Sequence, residues 1–99
     1  MTKPPTFRFP SNDEVLGVIT QLLGFGRMYV KCMDDKIRLC VVKGSLSRYL
    51  WINEGDIVIV KPWDIEKDKK GDVMYKYEKN DWGRLRAKGY NIDKLLSGV

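Results

Sequence analysis

At 99 residues, with 43% hydrophobic and 31% charged residues, the chain has the composition of an ordinary globule with room for one core and not two. The absence of histidine excludes Ser-His-Asp and Cys-His catalysis, and two cysteines are too few for a disulfide framework or a four-cysteine zinc site. A net charge of +5 favours a polyanionic partner, but nine Lys/Arg against six Asp/Glu before residue 63 and nine against seven after it mean that only folding could gather a basic face.

Residues 1–12 carry Lys3, Arg8, three prolines, Phe7 and Phe9, and read as an extended basic arm that could add RNA contacts on ordering. Glu14 to Leu23 is apolar enough to be a first strand buried on much of both faces, where Gly17 predicts bending or the close approach of another backbone. In Arg27-Met28-Tyr29-Val30-Lys31-Cys32, period-two alternation sends Met28, Val30 and Cys32 to a core and Arg27, Tyr29 and Lys31 to solvent. Two cations and an aromatic ring on one face suit polyanion binding with base stacking.

A polar link, Met33 to Lys36, leads to a third strand, Ile37 to Val42. A hairpin symmetric about Asp34-Asp35 would place Ile37, Leu39 and Val41 on the core side. Lys31 would then face Arg38 across the outer surface, and Cys32 and Cys40 would lie on opposite faces. Such a like-charge pair is either kept for an anionic ligand or splays into water at little cost.

Leu46, Leu50 and Tyr49 fall at helical spacing behind Ser45, predicting a short helix before the turn at Asn53 to Asp56. Ile57 to Pro62 is strand four, and Asp72 to Glu78 strand five, across a charged loop expected to be solvated. A last helix is expected from an Asn80 cap to Gly89, with Trp82 and Leu85 packing inward, followed by a small apolar tail. Tyr75 and Tyr77 are expected in the core or barrel wall, and Trp63 as a plug at one barrel end.

Five strands with a helix between the third and fourth, plus a C-terminal helix, predict an all-β, five-stranded OB-fold barrel over 13–79, with 1–12 as arm and 80–99 as helix and short tail. Such barrels bind nucleic acid across strands two and three. Carboxylates confined to turns and element ends, and no glycine-rich phosphate cradle, leave no catalytic residues, cofactor or metal to expect. Met1 to Pro5 lacks the apolar core of a secretory signal and no apolar run could span a bilayer, so a cytoplasmic monomer without membrane contact is expected.

Gly26-Arg27, Asp34, Arg38-Leu39-Cys40, Gly44, Trp51-Ile52, Gly55-Asp56, Lys61-Pro62-Trp63-Asp64 and Lys88-Gly89-Tyr90 resemble the motifs of translation initiation factor 1A in its archaeal form, from about Arg8 to Tyr90. The resemblance implies a non-enzymatic protein at the A site of the small ribosomal subunit. There it would contact rRNA and a neighbouring ribosomal protein, and help other initiation factors place initiator tRNA and mRNA. Arg27, Arg38, Arg48 and Trp51 match RNA-facing positions of the family, with Lys43 and Lys61 beside them. Tyr29 and Lys31 come from alternation alone, and Tyr49 from its place where relatives carry a denser basic run. Trp51 also fits an ordinary core tryptophan. A generic single-strand binder and a basic protein-interaction module remain as alternatives.

Overall fold

The structure, a computed structural model, describes residues 7–42 and 52–97. Strands β1 (Val15–Gly24), β2 (Arg27–Cys32), β3 (Ile37–Val42), β4 (Ile57–Pro62) and β5 (Lys70–Lys76) close a barrel in the order β1-β2-β3-β5-β4. All neighbours are antiparallel except β3 and β5. The five-stranded barrel is as the sequence predicts. The helix expected near residues 45–52 lies almost wholly outside the described residues.

The barrel has two cores because the first half of β1, Leu16 to Ile19, and Ile57 to Val60 of β4 bury both faces. Val58, Val60, Ile19, Met28, Val30, Cys32, Cys40 and Val73 fill the interior. Leu16, Val18, Ile57, Ile59, Tyr75 and Tyr77 point out of it into a second cluster. In β5, Ile59 pairs with Tyr75 but Val60 with Val73, so the register shift there moves the tyrosines from the inner face to the outer one. Gly17 is needed where β1 crosses β2: a Cβ there would lie 2.4 Å from Val30 Cγ1. The close approach inferred from sequence is therefore present.

A 3₁₀ turn, Lys79–Asp81, opens the C-terminal region and is held by a reciprocal capping box between Glu78 and Asp81, not by Asn80. Helix α1 (Trp82–Lys88) ends at Gly89 as expected, and the supposed apolar tail is a second helix, α2 (Ile92–Ser97). Leu85, Ile92 and Leu95 close the second core, with Trp82 packed against it. From Phe7 on, the arm is docked. Phe7 and Phe9 sit against the same cluster, the Tyr77 hydroxyl donates to the Arg8 carbonyl, and Arg84 and Lys88 lie 4.8 and 5.3 Å from the two phenyl rings.

The β2–β3 hairpin corrects the symmetric register by one residue. Cys32 N donates to Lys36 O at 2.8 Å and Asp35 N to Cys32 O at 3.0 Å, while Asp35 adopts φ 66°. The turn is thus centred on Asp34, with Asp35 taking the left-handed conformation that aspartate tolerates. Val30 pairs with Arg38, Tyr29 with Leu39 and Lys31 with Ile37. Period two makes such a slip invert every β3 side chain. Ile37, Leu39 and Val41 consequently face out, Arg38 faces in, and the two cysteines share the interior as free thiols. The Lys31–Arg38 repulsion does not arise.

Candidate nucleic-acid interface

The second core covers one side of the barrel, and among the described residues nothing covers the β2–β3 side to the same extent. On it, Arg27 and Tyr29 are exposed and Lys31 is half-buried, as alternation predicts. Opposite them run Val41, Leu39 and Ile37, the last 60% exposed. The outer face therefore pairs a row of cations and an aromatic with a row of aliphatics, not cations with cations. Neither Arg27 nor Lys31 pairs with a carboxylate among the described residues, so their charge is available to a ligand.

Arg38, placed outward by the symmetric register, is instead 2% exposed. Its guanidinium donates to both Asp34 carboxylate oxygens, at 3.0 and 2.8 Å, and its Nε to the Lys67 carbonyl at 2.6 Å. Burial works against its charge, yet the hydrogen bonds to Asp34 prevail and its pKa is raised. Burial likewise opposes ionisation of Asp34, but the bond from Arg38 holds its pKa below the ordinary value. This forked contact ties the hairpin turn to the β4–β5 loop. Arg38, buried and held through three of its N–H groups, thus supports the face from behind.

Burial also pushes the Cys32 and Cys40 thiols up to about 11 and about 12, which keeps both protonated and inert near neutrality. Lys61 is exposed on β4 and lies 3.7 Å from Asp13, a loose surface pair that a phosphate could displace. Lys43, Arg48, Tyr49 and Trp51 lie outside the described residues. Trp63 does not plug the barrel. It is 37% exposed, its indole N–H donating to Asp72 Oδ1 at 3.1 Å, with Lys70 Nζ 5.6 Å from the ring.

Sequence reasoning passed over one group here, Phe25, which stands 99% exposed at the β1–β2 turn. A groove lined by Leu22, Gly24, Gly26, Arg27, Met28, Val42 and Ile52 adjoins it. The signal was present as an aromatic residue between two glycines in a hairpin loop, where polar turn formers usually sit. Among the described residues no His/Cys/Asp/Glu group could hold a metal, and no helix is long and apolar enough to cross a membrane.

Residues 4–97 match the family described as Translation initiation factor 1A / IF-1. The chain is 43% identical over 89 residues to Translation initiation factor 1A of Pyrococcus abyssi, covering 90% of this chain and 79% of that protein. It is 44% identical over 90 residues to the Methanococcus maripaludis protein of the same name, covering 89% and 87%. The solution structure of translation initiation factor IF-1 from the Wolbachia endosymbiont of Brugia malayi superposes with a TM-score of 0.53 at 28% identity, over 73% of this chain and 84% of that one. An OB-fold barrel with these relatives, and the motifs that first suggested them, place the chain in the non-enzymatic translation initiation factor 1A / IF-1 family.

Proposed function

We propose that this chain binds the small ribosomal subunit at its A site through rRNA, and there assists placement of initiator tRNA and mRNA together with other initiation factors. The observation that carries the reading is the bare β2–β3 side, where Arg27, Tyr29 and Lys31 stand in one outward row. Cations there neutralise backbone phosphates, and Tyr29 offers a surface for a base. Lys61 extends the positive surface. Lys43, Arg48, Tyr49 and Trp51 are assigned to the same interface by family resemblance, and Arg38 acts as a positioning residue beneath it. The aliphatic row Ile37-Leu39-Val41 suits the neighbouring ribosomal protein better than it suits phosphate. The protein works as a cytoplasmic monomer.

Co-sedimentation with purified archaeal small subunits tests this, comparing wild type with Arg27→Glu and Lys31→Glu. Saturable binding near one copy per subunit is expected, weakened by either substitution, with a salt slope reduced by about one per lost phosphate contact. Tight binding to free single strands without binding to subunits would instead make this a generic single-strand binder. Binding to acidic proteins that RNA cannot displace would sink both nucleic-acid readings.

A further inference from the structure

We infer that Phe25 is a stacking residue, presented on a strained loop so that its ring lies against an unpaired RNA base; this rests on the RNA-binding reading of the β2–β3 side. Three successive residues take left-handed backbone angles, Gly24 at φ 84°, Phe25 at 55° and Gly26 at 73°. Glycine does so freely, whereas a bulky L-residue there is an outlier that costs stability. The same side chain is almost wholly in water, so no packing offsets the cost. A lone exposed aromatic is ordinary, but one that is also strained at the tip of a turn is not explained by folding. Asparagine would satisfy the same backbone at lower cost.

The tip is also fixed at its base. Glu54 Oε2 accepts from Leu22 N at 3.1 Å, and Gly26 O accepts from Val42 N at 3.0 Å, so both strands leading to Phe25 are held by other parts of the chain. Arg27, exposed two residues on, begins the outward row that continues through Tyr29 to Lys31. A base on Phe25 would therefore have its own backbone phosphate near Arg27, and the strand could run on along β2. The ligand chemistry this selects is an unpaired nucleotide, with little preference for which base, since every base has a face to stack.

The test uses the full chain with purified small subunits at fixed salt. Phe25→Asn should raise Tm by about 3–6 °C through relief of the backbone. The same variant should bind about 5- to 150-fold more weakly, the worth of one stacked base, with an unchanged salt slope because no phosphate contact is lost. Phe25→Trp should keep wild-type affinity and Phe25→Leu should not. Chemical probing of the rRNA should show one base protected by wild type and left reactive by Phe25→Asn. Wild-type affinity in Phe25→Asn would overturn the inference while leaving the RNA-binding reading intact. Full affinity in Phe25→Leu would overturn it too, pointing to an apolar pocket on a protein. Failure of wild type itself to bind subunits would defeat both, and is a different result from either.

Discussion

The two outer walls of this barrel are built from one continuous sheet and meet opposite fates. On the wall of β1, β4 and the end of β5, Leu16, Val18, Ile57, Ile59, Tyr75 and Tyr77 are buried beneath α1, α2 and the segment from Phe7. On the wall of β2 and β3, Ile37, Leu39 and Val41 are also aliphatic, yet nothing in the described chain covers them completely and Ile37 is 60% exposed. Apolar content alone does not tell a core wall from a binding wall. What separates them is the company: the outward row of β4 carries no cation until Lys61 at its far end, while the bare wall sets each aliphatic across from Arg27, Tyr29 or Lys31. Covering that row would strip water from two cations that pair with no carboxylate among the described residues, a cost that leaves it for an anionic partner.

Breaking the covered wall should have the largest effect. Leu85→Ala opens a cavity beneath α1 and should cost about 2–5 kcal/mol of unfolding free energy, measured by urea denaturation. A loss of less than about 1 kcal/mol would mean the helix is a loose cover rather than part of the core. Next comes the support between the walls. Arg38→Met keeps volume but leaves the Lys67 carbonyl without the Arg38 Nε donor and Asp34 with only the Lys36 amide, and should cost about 1–3 kcal/mol, Asp34 being partly solvated. If the variant stays as stable as wild type but loses subunit binding, Arg38 touches the ligand after all.

The docked segment gives a pH test. The hydrogen bonds from Arg8 to Glu14, at 2.7 and 2.8 Å, outweigh burial and lower the Glu14 pKa from 4.5 to about 2. A depressed carboxylate pKa stabilises the fold above the unfolded value and ceases to do so as pH falls through the folded one. Glu14→Gln should therefore be less stable at pH 7 by about 1 kcal/mol, a discounted figure because Arg8 is partly exposed. The gap should close between pH 4.5 and about 2, where thermal melts of the two proteins should converge. A gap that persists at pH 2 would show that shape, not charge, is what Glu14 supplies.

The smallest stability effects belong to the bare wall. Ile37→Thr and Arg27→Ala should each shift unfolding by no more than about 0.5 kcal/mol. Their difference should appear on the subunit: Arg27→Ala lowers the salt slope, and Ile37→Thr leaves it unchanged. Equal slopes for the two variants would remove the distinction between a basic and an aliphatic row.

The sequence alone determined much of this. Alternation in Arg27 to Cys32 assigns both faces of β2, because side-chain direction in a strand follows from backbone geometry without reference to neighbours. The bounds of β4 and the end of α1 at Gly89 are equally local, the apolar run of β1 and its Gly17 announce a contact without naming its partner, and the family motifs stand in the bare sequence. Register was not local. It hung on one backbone angle, the left-handed Asp35, which sequence permits at either aspartate, and that choice turned Arg38 from an expected ligand contact into a buried strut. The register shift opposite Ile59 that moves Tyr75 and Tyr77 from the inner to the outer face is hidden for the same reason, since burial still alternates along β5. Only tertiary structure could decide which wall the helices cover, because that depends on surfaces brought together from both ends of the chain.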